Sequence, residues 1–305
     1  MAYRLKHGES VPKGVKRIAR EEIESAVEYL RGRSGVDPDK AVHEVRKSIK
    51  KMRALLRLVA DGMDGAYDQE NARLRDIGRQ LSELRDADAV IGALDGLKGR
   101  CQSSLGNGEM ASLRRPLVLH KKRLRDELST RPFLNEVARE LAQTLHSARE
   151  WPLQGDGFPA IEPGLKKTFR DGRKAFEIAQ RTGRREDFHE WRKRVKDHWY
   201  HVRLLEKVWT DVMQGYEHSL KDLEDALGED LNLAILREQI LSPRYAQVDR
   251  HTTNIVVRAI DSCRQDLRDR AVKIGERVYT EKPRRFTREM KRLWDAWHAK
   301  ADWKA

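Results

Sequence analysis

A histidine followed by arginines and lysines at helical spacing occurs twice in this chain. The first stretch, HEVRKSIKKMRALLRL, begins at His43, and the second, HEWRKRVKDHWYHVRLL, begins at His189. With about 100° between successive helical residues, Arg46, Lys47, Lys50, Arg53 and Arg57 fall within about 80° of His43. Val42, Val45, Ile49, Met52, Leu56 and Val59 gather on the opposite side. The one acid of the stretch, Glu44, lies off the cationic face. In the second stretch His189, Arg192, Lys193, Lys196, Tyr200 and Arg203 share a face opposite Trp191, Val195, Val202, Leu205 and Trp209. Each stretch is therefore expected to pack one side into a core and present uncompensated cations on the other.

Such a face suits anion binding. Like charges three or four residues apart on a helix repel by a few tenths of a kcal/mol per pair, so a surface helix usually intersperses acids. An anion would offset that repulsion. Arginine offers phosphate a bidentate fork and lysine a point charge. A basic stretch of about 14 residues extends roughly 21 Å, which fits an extended polyanion better than one small phosphate. His43 and His189 sit among cations that disfavour their protonation. Each could donate a neutral N–H to a phosphate oxygen, gain charge when the anion arrives, or simply bond a neighbouring helix. The bland alternative for the whole face is a solvated surface.

Further cations extend the pattern. Lys16, Arg17 and Arg20 match Lys166, Lys167 and Arg170, and a third basic run includes Arg114, Arg115, His120, Lys121, Lys122, Arg123 and Arg125. Catalytic signatures are missing: the chain has no P-loop, GxGxxG, GxSxG or HExxH. The Asp86/Asp88 pair reads as packing or hydrogen-bonding groups, and His198/His201 point towards the packed side. No metal or cofactor site is expected, and a binding protein fits better than an enzyme.

The elements that must position these residues are helices. Apolar periodicity near 3.6 is almost continuous, with breaks at Gly32–Asp37, Asp61–Gly65, Gly96–Gly108, Thr130–Pro132, Trp151–Gly164, Arg181–Arg184, Thr210–Gly215, Ser242–Pro243 and Thr280–Pro283. About ten helices result. An offset of 146 sets His43 on His189, Leu74-Arg75-Asp76-Ile77 on Leu220-Lys221-Asp222-Leu223, Leu81 on Leu227, Glu83 on Glu229 and Asp86 on Asn232. GVKRIAREEIESA from Gly14 resembles GLKKTFRDGRKAF from Gly164. Three successive helices match in order, so we read an internal duplication: a bundle half over 1–150, a linker over 151–164 and a second half over 165–305. Trp191, Trp199, Trp209, Trp294 and Trp297 are assigned to the core.

Bulk properties narrow the partners. Sixty-two basic against 49 acidic side chains give a formal charge of +13, which points to a polyanion. Cys101 and Cys263 show no CxxC spacing and read as buried or incidental thiols in a reducing compartment. No apolar run approaches the ~20 residues that span a bilayer, and Met1–Ser10 has no apolar signal region. A cytoplasmic protein without a membrane partner is expected.

The segment AVHEVRKSIKKMRALLRL resembles the signature of the CHAD domain, the conserved histidine α-helical domain. HEWRKRVK resembles that family's second histidine helix, and GERVYTEKPRRFTREMKRLWDAW its C-terminal helices. The resemblance implies an all-α fold of two pseudo-symmetric antiparallel bundles with a basic cleft between them. It also implies inorganic polyphosphate as ligand and association with polyphosphate granules. The residues it carries over are His43, Arg46, Lys47, Lys50 and Arg57, with His189, Arg192, Lys193, Lys196 and Arg203. Trp199 stands at the counterpart of Arg53, so strict two-fold symmetry is not expected. The sequence leaves no room for the strand-rich CYTH triphosphatase domain that sometimes accompanies this one. Nucleic acid is the alternative partner, followed by a role in phosphoanhydride hydrolysis. A scaffold meeting an acidic protein or membrane ranks last.

Overall fold

The computed structural model describes residues 3–33, 35–101, 105–128, 130–245 and 248–299. Among them are eleven α-helices and no strand, so the expected all-α class holds. Local chemistry sets several boundaries. Helix α1 (Val11–Leu30) starts at Ser10, whose side chain accepts from the Lys13 N–H. Helix α2 (Pro38–Leu58) starts at Asp37, which accepts from the Asp39 N–H, with proline in the first turn where no amide donor is needed. Helices α3 (Ala66–Gln80), α4 (Ser82–Cys101), α5 (Asn107–Leu128) and α6 (Arg131–Arg149) follow. Then come α7 (Glu162–Thr182), closed by Gly183 at φ 65°, and α8 (Arg185–Leu204). Helices α9 (Thr210–Ile240), α10 (Arg250–Val278) and α11 (Pro283–Ala299) complete the chain.

Two expected boundaries move and one break was not expected. Helix α4 runs through Gly96 and Gly99 to Cys101. A helical glycine costs about 0.5–1 kcal/mol relative to alanine, which α4 tolerates without ending. Thr210–Gly215 lies inside α9, and the break falls earlier, in a 3₁₀ turn at Glu206–Val208. An unforeseen break at Leu81 divides α3 from α4, whereas α9 passes unbroken through Leu227, the residue expected to match it.

Two apolar clusters hold the helices. The larger joins both sides of residues 151–164: Val45, Met52 and Leu55 share it with Trp191, Val195 and Leu204, and Trp151, Phe158 and Ile161 continue it along the connection. The smaller joins α4, α5, the C-terminal half of α9 and α10, through Leu94, Leu113, Leu236 and Val256. Helix α9 belongs to both, by Leu220 and Leu227 at one end and Leu233 and Leu236 at the other. Helix α1 packs on α2 and α6, α7 packs on α8 and α11, and α2 crosses to both α7 and α8. Trp191, Trp199 and Trp294 are buried and Trp297 packs against the same core. Trp209 is the exception, 53% exposed where the chain enters α9.

Candidate functional site

Helices α2 and α8 carry the two cationic stretches and pack against each other. The Arg57 guanidinium donates to the Asp197 carboxylate at 3.1 Å. The His201 ring meets the Ala54 carbonyl at 2.8 Å through Nε2, which must carry the proton because a carbonyl only accepts. Burial holds His201 down to about 4 and His198 to about 3, so both are neutral core residues at physiological pH. The N-terminal segment seals one side of the pair. The Tyr3 hydroxyl donates to the Lys51 carbonyl at 2.9 Å and the Leu5 N–H to the Leu204 carbonyl at 2.9 Å. Helix α7 closes on the end of α2 at Gly164, where a Cβ would overlap the Leu58 carbonyl and lie 2.6 Å from the Arg57 carbonyl.

Cations from both helices converge along this seam. Burial, and then the neighbouring Lys196, Arg46 and Arg192, hold the Lys50 ammonium down to about 7, with Glu224 opposing. Among the described residues Lys50 has neither a hydrogen-bond nor an ion-pair partner. Arg46 Nη1 donates to the Leu81 carbonyl at 2.8 Å, and Nη2 lies 3.5 Å from Asp86. The α3–α4 break thus exposes a carbonyl that an arginine of the cationic face satisfies.

On the α8 side a buried carboxylate of α9, Glu224, takes both neighbours. It lies 2.7 Å from Lys196 Nζ and 2.8 Å from Arg192 Nη2. Burial alone would push the Glu224 carboxyl up, but Lys196 and Arg192 hold it at about 2. Burial lowers Lys196, with Glu224 opposing. His189 is half-buried, and burial followed by Lys193 and Arg192 lowers it, as its cationic surroundings led us to expect.

The other expected site residues are placed as follows. His43 is exposed. Lys47 pairs with Glu44 at 3.0 Å and Lys193 with Glu190 at 3.1 Å, so these outer lysines are not the uncompensated charges the helical angles suggested. Arg53 Nε donates to Asn71 of α3 at 2.9 Å, and burial and then Arg57 lower its guanidinium. Arg203 pairs with Glu217 at 3.1 Å and lies over the Trp199 ring at 5.1 Å. Tyr200 departs from expectation: it is 2% exposed, with its ring against Tyr3 and Trp199. The N-terminal segment covers the face on which helical angle had put it.

More distant cations are largely engaged. Lys16 Nζ donates to the Arg149 carbonyl, and Arg17 is held by Glu9, Glu21 and the Arg4 carbonyl. Lys121 bridges Asp39 and Asp88 at 2.7 and 2.6 Å, which gives Asp88 a structural role; His120 beside it is partly buried. Arg20, Lys167 and Arg170 are exposed, Arg170 beside Asp171 at 3.2 Å.

Sequence reasoning missed Glu224, Asp197 and Asn71. A signal for Glu224 existed: under the 146-residue offset it follows the aligned Leu220–Leu223 directly and stands where the first half has Gly78. Its buried carboxylate is what makes the two cationic helices unequal.

No curated protein matches this chain. Solved structures do. The chain resembles the CHAD domain from the plant Ricinus communis with a TM-score of 0.63 at 16% identity, covering 92% of this chain and 95% of that one. It resembles PptA from Streptomyces chartreusis with a TM-score of 0.61, also at 16% identity, covering 90% of this chain and 100% of that one. At that identity these likenesses establish the fold. The family model described as the CHAD domain matches residues 17–241, which include both histidine helices and end just after α9. The chain belongs to the CHAD domain family.

Proposed function

We propose that this protein binds inorganic polyphosphate, without turning it over, along the seam where α2 and α8 meet. The observation that carries the reading is the convergence of Arg46, Lys50, Arg192 and Lys196 from two helices, where burial first and then the neighbouring cations hold the Lys50 ammonium down to about 7. A fold does not gather such charges without cost, and a polyanion removes that cost by supplying the missing counter-charge. The duplication read in the sequence would account for two such helices, and family membership supports the ligand.

Two features favour a phosphate polymer over nucleic acid. The seam offers guanidinium, ammonium and imidazole groups, and its large aromatics are buried: Trp191, Trp199 and Tyr200 are 0%, 9% and 2% exposed. Single-stranded nucleic acid is gripped largely by stacking bases on accessible rings. The carboxylates at the seam support a non-catalytic role. Glu224, Asp197 and Asp86 each lie against a cation of the protein, whereas phosphoanhydride chemistry commonly uses carboxylates to hold divalent metal. The cellular counterpart of this reading is a cytoplasmic protein found with polyphosphate granules.

The test is a titration with long-chain polyphosphate at ~150 mM salt, with transfer RNA and duplex DNA as competitors. Polyphosphate is expected to bind, to resist displacement by either nucleic acid at equal phosphate concentration, and to release no orthophosphate with Mg²⁺ present. Displacement by RNA or DNA contradicts the ligand assignment, and orthophosphate release contradicts the binding-only role.

A further inference from the structure

The seam is not neutralised evenly. Glu224 is 5% exposed and shares one carboxylate oxygen between Lys196 at 2.7 Å and Arg192 at 2.8 Å. At the matching position of the first half Gly78 has no side chain, and the space where its Cβ would sit is bounded by Ile49 at 3.4 Å. Arg46 lies 3.5 Å from Asp86, whose side chain is 56% exposed, where water screens the pair. Lys50 has no hydrogen-bond or ion-pair partner among the described residues, and Glu224 reaches it only as a longer-range charge. Lys50 on α2 therefore offers its charge to an arriving anion, while Arg192 and Lys196 on α8 already hold one.

We propose that Glu224 is a specificity-determining residue, an internal counter-anion that makes this site select long phosphate chains over short ones. The inference rests on the polyphosphate reading and deepens it. A short phosphate approaching Lys196 and Arg192 from solution must displace a carboxylate that is covalently part of the fold. Such a group acts at an effective concentration far above that of a free solute. A long chain escapes this handicap. Anchored first at Lys50 and Arg46, its next phosphates are tethered too, and they compete with Glu224 on equal terms. Several phosphates engaged at once then outweigh one carboxylate. The same side chain also keeps Lys196 and Arg192 from repelling each other while the seam is empty.

The experiment compares tripolyphosphate with long-chain polyphosphate on the wild-type chain, Glu224→Gln and Glu224→Asp, with a thermal melt of each. The amide keeps an oxygen for Lys196 and Arg192 but surrenders the charge. Glu224→Gln should bind tripolyphosphate about tenfold more tightly, as expected for removing one competing charge-assisted contact. Its gain for the long chain should be about threefold or less, so that length selectivity shrinks. Glu224→Asp keeps the charge and should keep most of the selectivity, which holds the test open if Glu224→Gln melts early. Wild-type binding of the long chain with unchanged selectivity in Glu224→Gln overturns the inference and leaves the polyphosphate reading standing. Wild-type failure to bind either phosphate overturns that reading, and this inference with it.

Discussion

Helices α2 and α8 present nearly the same run of histidine, arginine and lysine, yet the fold treats them differently. On α8 the inner cations Arg192 and Lys196 close on Glu224, a buried carboxylate from α9. On α2 the corresponding Arg46 meets a backbone carbonyl and an exposed acid, and Lys50 has no ion-pair partner among the described residues, Glu224 acting on it only from beyond ion-pair distance. The difference arises outside the two helices. Where α9 runs unbroken and carries Glu224, the first half has Gly78 and then a break at Leu81. Equal cationic faces thus become an open site and a pre-neutralised one through what is packed against them. Even the glycines differ. A Cβ at Gly164 would meet main-chain carbonyls of α2, whereas at Gly14 it would meet the ends of the Leu5 and Glu9 side chains at 2.7 and 2.9 Å.

The largest effect should come from that last contrast. Gly164→Ala has no flexible neighbour to displace and should cost about 3 kcal/mol or more, since α7 must move away from α2. Gly14→Ala, which needs only two side chains to shift, should cost about 1 kcal/mol or less. Denaturant melts of both check the pair, and equal losses would remove the asymmetry. Next in size is charge reversal. Lys50→Glu should weaken long-chain polyphosphate about 100-fold, the scale of a lost close charge contact turned repulsive, whereas Lys193→Glu at the exposed rim should cost about fivefold or less. The Lys50→Glu protein should melt no lower than wild type, because Arg46, Arg192 and Lys196 receive the new carboxylate.

The smallest effect is on pH. Lys50 titrates near 7 in the free protein instead of its ordinary 10.5. Bound phosphate favours the ammonium, so binding takes up a proton, and affinity should fall about tenfold or less between pH 6 and 9. Lys50→Arg, charged throughout, should flatten that part of the profile. Stability has the opposite sign. Between 7 and 10.5 the unfolded chain holds the proton that folded Lys50 has lost, so this group makes stability rise with pH across that window.

Much of this was legible in the sequence. Asp37-Pro38 announced the start of α2, and apolar spacing put Val45, Ile49 and Met52 in the core opposite the cations. His198 and His201 were rightly assigned to the packed side. Other features depend on partners that helical angle cannot reveal. Arg57 finds Asp197 across 140 residues, and Lys196 finds Glu224 on the next helix. Tyr200 sits at the right angle for the open face, yet the N-terminal Tyr3 packs over it. Glycines at 96 and 99 looked like a break because their helix cost is real, but neighbouring α5 and α9 hold α4 together past them. Periodicity reports which face is apolar, and tertiary packing decides which charges remain to be met.

The most direct test of the α2–α8 seam as the polyphosphate site is competitive amine labelling of every lysine, read by mass spectrometry with and without long-chain polyphosphate. A lysine held near 7 is largely unprotonated at slightly alkaline pH and reacts ahead of ordinary ones. The account predicts that Lys50 labels fastest in the free protein and becomes the most strongly protected lysine when the polymer binds, while Lys167 and Lys174 change little. Protection of those α7 lysines with Lys50 still reactive would contradict it and move the site to the outer surface.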